Sequence, residues 1–335
     1  MDFRKLGLVA IAAAALSLPT TKAQAACGEV TITEMNWASA QIVTAVAKFL
    51  MEQGYGCKVT KVPSASNPAL TSVAETGKPD ILTEIWTNGA PAYPKLVQSG
   101  KIKPLTEVLA DGGIEGWWVP NYLLEKHPVL ATLKGIKANP QLVGGRFHNC
   151  PDGWTCKYIN SHMAKAAELS GSGIEDFVHG SGETLAASIA SAFADKKPWF
   201  GYYWAPTAIL GKYPMTMVDI GPHDAEAHKC NSKKTTCDTP KVGAYPKSIV
   251  TTVVTDTFAS KNPEVTALMR KLKFSNKQMA DVLAWKEDSK ASGDEAAVHF
   301  LTKYKSCLLY TSPSPRDCNE YLVCRLLLEK RGGGG

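Results

Sequence analysis

Apolar and polar residues alternate over residues 28–35, with Val30 and Ile32 on one side. The rhythm then changes. Over residues 38–53, Ile42, Val43, Val46, Ala47 and Leu50 recur every three or four positions. A period of two predicts a strand and a period of 3.6 a helix. Gly54-Tyr-Gly56 stops that helix, and residues 57–62 predict a second strand. Asn67-Pro68 reads as an N-cap with proline in the first turn, opening a helix that Gly77 closes. Residues 80–85 predict a third strand. The βαβαβ order predicts a parallel sheet with right-handed crossovers. Farther on, helices are expected at 157–169 and 183–194, then a strand at 199–204 and a β-branched strand at 248–255. Helices at 262–272, 275–288 and from 294 onward follow, with no solenoid-type repeat.

The two ends fall outside this pattern. Arg4 and Lys5, an apolar stretch from Leu6 to Leu18 and Ala23-Gln-Ala25 read as a cleaved export signal, 1–25. A lipoprotein signal with Cys27 as the lipidated residue is the rival, disfavoured because Gln24 stands where leucine is usual. Residues 307–335 end in four glycines, and CLLYTSPSPRD back-translates to a run resembling a transposase-type sequencing adapter. This tail is therefore read as translated adapter on a truncated gene and kept out of fold reasoning.

Removing the tail repairs the cysteine count. Nine cysteines are odd for an exported chain, and dropping Cys307, Cys318 and Cys324 leaves six. Cys150 and Cys156, and Cys230 and Cys237, are close neighbours. Cys27 and Cys57 immediately precede two strands that run side by side, within disulfide reach. The expected pairs are Cys27–Cys57, Cys150–Cys156 and Cys230–Cys237, in an oxidising compartment. The tail carries +1 and the leader +2, so +3 of the formal +6 remains. That charge calls for no nucleic acid or anionic lipid. A mature chain of this length, in a sequence that is 44% hydrophobic, commonly splits into two lobes. The boundaries read as 26–119 for the first part of lobe 1, 120–245 for lobe 2 and 246–306 for the return. The crossings then fall at Val119-Pro120 and Tyr245-Pro246. The fold class is α/β, each lobe a mixed, mostly parallel sheet flanked by helices.

The chemistry lies in the tryptophans. Trp37, Trp86 and Trp204 stand where predicted strands run out, and carboxyl ends of strands line the ligand crevice of open α/β sheets. Trp154 joins them from Cys150-Pro-Asp-Gly-Trp-Thr-Cys156, a loop that a disulfide would make rigid. Indole faces attract a methylated onium head, which cannot donate hydrogen bonds. The backbone N–H groups of Thr155 and Cys156, opening the next helix, suit an anion. One loop thus offers both halves of a site for a small zwitterion. Trp285, inside an amphipathic helix, reads as core. Trp117 and Trp118 face opposite ways on one strand, and Trp117 is carried as a further cleft candidate. Trp199 is left undecided.

These segments, EMNWASAQ, TEIWTNGAP, NCPDGWTC and GYYWAPT in order, resemble the glycine betaine and choline substrate-binding proteins of ABC importers. The likeness runs on through YPKSIVTTVVTDTFASKNP to the tail. It implies a two-lobed periplasmic-binding-protein fold of type II kind, closing on its ligand, and delivery to a membrane permease. Trp86, Trp154 and Trp204 match the family's aromatic box and Trp37 a fourth aromatic of some members. Two positions depart from the pattern. Ala90 stands where some betaine binders have histidine, and Ser39 where choline binders have aspartate, which tilts the expectation to a zwitterion. The expected protein is a monomeric periplasmic binder of a glycine betaine-like osmolyte, with no cofactor or metal. A choline or dimethylsulfoniopropionate binder of the same fold is the alternative.

The rival of another class is an exported enzyme acting on a small onium compound. No G-x-S-x-G elbow or H-E-x-x-H helix is present; Glu34 and Glu84 flank two strand ends as candidate catalytic carboxylates, though strand-end acids are routine hydrogen-bond partners. His223, His228, Cys230 and Cys237 have metal-ligand chemistry, but a disulfide accounts for the two cysteines more simply.

Overall fold

The computed structural model describes residues 27–304. The leader 1–25 and the tail 307–335 lie outside the described residues. Ten strands follow one another: β1 Glu29–Met35, β2 Lys58–Ser64, β3 Ile81–Trp86, β4 Ile102–Glu107, β5 Ile114–Pro120, β6 Arg146–Asn149, β7 Glu175–Val178, β8 Gly201–Ala205, β9 Met215–Met217 and β10 Val250–Thr255. They form two five-stranded sheets, ordered β2-β1-β3-β10-β4 and β7-β6-β8-β5-β9. In the first, β1 runs parallel to β2 and β3, and β10 lies antiparallel between β3 and β4. In the second, β6 is parallel to β7 and β8, while β5 is antiparallel to β8 and β9. Each sheet with its helices is one lobe, as the α/β reading expects.

The central strands explain themselves by composition. β3 (ILTEIW) and β10 (VTTVVT) are buried at every position, which is why they read as near-continuous runs of apolar and β-branched residues. Cys27 and Cys57 start neighbouring parallel strands and are disulfide-bonded, with Cα atoms 4.8 Å apart. Cys150–Cys156 and Cys230–Cys237 are the other two bridges.

Several boundaries differ from the expectation. The first crossing lies at Gly113, before β5, and not at Val119-Pro120. Trp117-Trp118-Val119 is a strand of the second sheet, paired with Tyr202, Gly201 and Thr216, and Pro120 merely ends it. The return agrees better, because Ser248 forms an antiparallel bridge with Gly113 just before β10. The two crossings therefore run side by side, joined by reciprocal N–H···O bonds of 2.9 Å. Asn67 is not an N-cap. The helix Ser66–Thr76 begins two residues earlier than expected, behind Ala65, and the Asn67 side chain donates to the Trp154 carbonyl across the cleft at 3.3 Å. Trp285 is half-buried, stacked on His299 at 4.1 Å, so it lies at the edge of the core and not within it.

The helices Asn276–Asp288 and Gly293–Lys303 are the last among the described residues. The latter packs on Ala38–Tyr55 of lobe 1, and the former also touches Ala208–Lys212 of lobe 2. Among the described residues, no helix is long and apolar enough to cross a membrane.

Candidate functional site

Three of the four proposed cage indoles stand where a chain segment turns into a helix. Trp37 precedes Ala38–Tyr55, Trp86 precedes the 3-10 turn Thr87–Gly89, and Trp154 precedes Thr155–Ala166. Such a junction exposes a side chain at the sheet's rim while the backbone is held by both elements. Trp204 ends β8. The two lobes bring all four to one cleft, Trp37 and Trp86 from lobe 1 and Trp154 and Trp204 from lobe 2. Trp154 is the keystone. Its ring stands edge-on to Trp37 at 5.4 Å and to Trp204 at 5.0 Å between centroids. Its Nε1 donates to Asn36 Oδ1 of lobe 1 at 2.7 Å.

The cavity between these rings measures about 20 Å³. The cage is nearly shut. Each of the four indoles is 5–7% exposed. Thr155 and Cys156 line the same space. As the first two residues of a 12-residue helix, they have N–H groups without an intrahelical acceptor. Gly113 passes so close to Trp86 that a Cβ there would meet the indole at 2.2 Å; only glycine lets the crossing strand lie on this ring.

Two carboxyls belong to this region. Glu115, on β5, lines the cage and is 6% exposed. Its Oε1 accepts from the Tyr202 hydroxyl at 2.7 Å, and its Oε2 accepts a short bond from Ser248 Oγ at the crossing. Burial raises its pKa, against the pull of those two donors. Glu84, on β3, is fully buried behind Trp37. Its Oε2 accepts from Trp37 Nε1 at 2.6 Å and from Ser39 Oγ at 2.9 Å. Burial pushes it up to about 7.

The remaining predicted residues separate. Trp117 lies outside the cage. It is fully buried in lobe 2 against Phe147 and Phe200, with Nε1 donating to Asn160 at 2.8 Å. The strand's alternation does turn Trp118 the other way, half-buried with Nε1 on the Tyr203 carbonyl, but neither face of β5 at this depth opens to the cleft. Trp199 is buried, stacked on His148 and bonded to Ser188. Glu34 pairs with Lys61 at the surface. Cys230 and Cys237 are spent in a disulfide, and His228 Nε2 faces the Asn88 carbonyl oxygen. Ser39 approaches the site only through Glu84. Sequence reasoning missed Glu115, Tyr202 and Ser66 in the cage wall. The one signal was an acid inside the apolar run IEGWWV, and the misplaced lobe boundary hid it.

The fold has close counterparts among solved structures. The glycine betaine/L-proline-binding protein of a Borrelia burgdorferi ABC transporter superposes with a TM-score of 0.71 at 18% identity, over 88% of this chain and 99% of that one. An ABC-transporter choline-binding protein in complex with choline gives 0.71 at 17% identity, over 90% and 98%. A lactococcal protein in its closed form with glycine betaine gives 0.66 at 17%, over 85% and 99%. At such identities these likenesses speak for the fold. The family itself is carried by the sequence match of residues 28–303 to the substrate-binding domain of ABC-type glycine betaine transport systems. With two sheets, a cleft closed by indoles from both and that match over nearly all described residues, the chain belongs to this family.

Proposed function

We propose that the protein captures a small methylated onium zwitterion of the glycine betaine kind between its lobes and hands it to a membrane permease on the outer side of the membrane. It works as a monomeric binder, without catalysis and without a cofactor. The observation that carries the reading is the convergence of Trp37, Trp86, Trp154 and Trp204 on a space that the N-terminus of Thr155–Ala166 also lines. The rings take the onium head, each face contributing about 0.5–2 kcal/mol. The Thr155 and Cys156 N–H groups take the carboxylate through charge-assisted bonds worth about 1.5–3 kcal/mol. A cage this narrow admits ligand when the lobes part, and closure around it excludes water.

Glu115 favours a second reading. It puts an acid into the cage wall although Ser39 does not, and an ionised carboxylate there would suit a net cation such as choline. Its raised pKa makes the first reading compatible with it, since a protonated Glu115 tolerates a ligand carboxylate nearby. Calorimetry with glycine betaine, choline and dimethylsulfoniopropionate separates the two. Glycine betaine is expected to bind at least about ten-fold tighter than choline, an advantage set by the charged bonds at the helix end. Choline equal or tighter would establish the cation reading, and turnover of any of the three would establish an enzyme.

A further inference from the structure

Glu84 occupies a costly position that the ligand-facing residues do not explain. It lies in the middle of β3, yet its backbone is left-handed at φ 50°, a region where a residue other than glycine is strained. The pairing of β3 with β10 slips there: Thr251 faces Ile85 and Val253 faces Leu82, so Thr252 alone opposes Thr83 and Glu84. A bulge of this kind re-aims a side chain. The carboxyl so aimed is fully buried, and its Oε1 has no hydrogen-bond partner. Its Oε2 instead gathers Trp37 Nε1 and Ser39 Oγ, and the Trp86 side chain also favours its ionised form. Strain, burial and an unpaired oxygen meet at one residue, which holds the Trp37 indole by its N–H.

We propose that Glu84 is a positioning residue that holds the lobe 1 half of the cage and, when ionised, sets a negative charge behind it, so that capture of an onium head is coupled to the protonation of this carboxyl. The inference rests on the onium reading above. The bond from an indole N–H to an ionised acceptor is stronger and more directional than one to a neutral acceptor. The same charge, in a dry setting, attracts a cation held on the far side of the rings.

The sign follows from the surroundings. Burial is the largest influence on Glu84 and raises its pKa to about 7, with Trp37, Ser39 and Trp86 pulling the other way. Those three neighbours, from the end of β1, the helix Ala38–Tyr55 and β3, carry no charge. The facing stretch of β10 is Thr251, Thr252 and Val253. Glu115 is the other carboxyl at the cage, and its pKa is raised as well. A permanent cation favours ionised Glu84, so binding near neutral pH expels a proton. Affinity therefore falls as pH drops through about 7. Glycine betaine and choline keep their own charges across that range, which leaves the protein as the titrating partner.

The test is the dissociation constant of glycine betaine and of choline between pH 5.5 and 8.5, with calorimetry at pH 7 in two buffers of different ionisation enthalpy. The wild-type chain is expected to bind at least about five-fold tighter at the upper end, releasing protons as it does so. Glu84→Gln keeps an acceptor for Trp37 but no charge. Its profile should be flat, near the wild-type value at low pH, with no proton release attributable to position 84. Glu84→Leu should bind more weakly at every pH; if it fails to fold, the glutamine variant decides alone. A wild-type profile that is flat, or one that survives Glu84→Gln and disappears in Glu115→Gln, overturns the inference while leaving the onium reading intact. Absence of binding of both compounds at every pH removes the reading and the inference with it.

Discussion

At the scale of the residue, eight tryptophans serve different ends, and burial alone does not sort them. Trp117 and Trp199 are 0% and 1% exposed, whereas the four cage indoles keep 5–7%. Substitution should separate the classes. Trp86→Ala, Trp154→Ala and Trp204→Ala are each expected to weaken onium binding by at least about 1 kcal/mol. Trp285→Ala should leave affinity unchanged, and Trp117→Ala should cost about 3–5 kcal/mol of stability, as a large core truncation does. Titration calorimetry and denaturant melts read the two quantities independently. Should Trp154→Ala and Trp285→Ala bind alike, the cage is elsewhere. All four cage indoles were legible in the sequence because each stands at a strand end or on a bracketed loop, a local signal.

At the scale of the element, the decisive unit is the loop of residues 150–156 with the helix it starts. The disulfide spans six positions and holds Trp154 and the first free N–H groups in one rigid piece. The loop also reaches across the cleft: Asn67 N donates to the Gly153 carbonyl at 3.2 Å, and Trp154 Nε1 to Asn36. Reducing this bond should therefore erode glycine betaine binding more than choline binding, since the anionic half of the site depends on the loop's backbone and the rings retain partners from lobe 1. Paired calorimetry on Cys150→Ser/Cys156→Ser checks it, and an equal loss for both ligands would mean that the helix end does not read the carboxylate. The cysteine pattern announced this element. Its contacts with Asn36, Ala65 and Asn67 were illegible, because they join residues more than eighty positions apart.

At the scale of the whole molecule, two chain segments cross between the lobes side by side, bridged antiparallel at Gly113 and Ser248. The same crossing forms part of the site. Gly113 lies on Trp86, and Ser248 donates to Glu115 in the cage wall. The crossing segments and the space between the indoles thus share residues. Gly113→Ala brings a Cβ onto the Trp86 ring and should displace it, lowering affinity at least about five-fold. Tryptophan emission on ligand addition, compared between the two chains, would report the displaced ring. Unchanged affinity would show that the crossing strand yields instead.

Local pattern determined a good deal. The alternation of periods set the order of strands and helices, close cysteine spacing set two of the three disulfides, and strand ends and the bracketed loop marked the indoles that converge. Each of these is written in residues close together in the chain, where propensity, periodicity and ring chemistry act directly. The tertiary structure alone decided what depends on distant partners. Trp117-Trp118-Val119 became a strand of lobe 2 because β8 and β9 flank it, and Asn67 exchanged a capping role for a bond across the cleft. Glu115 became part of the cage because β5 turns it there beside Tyr202. Glu84 came to hold the Trp37 indole because a bulge against β10 turned it inward. A carboxyl's neighbours, and hence its proton affinity, are set by packing between segments 45 to 133 positions apart in the chain, and no local period encodes that.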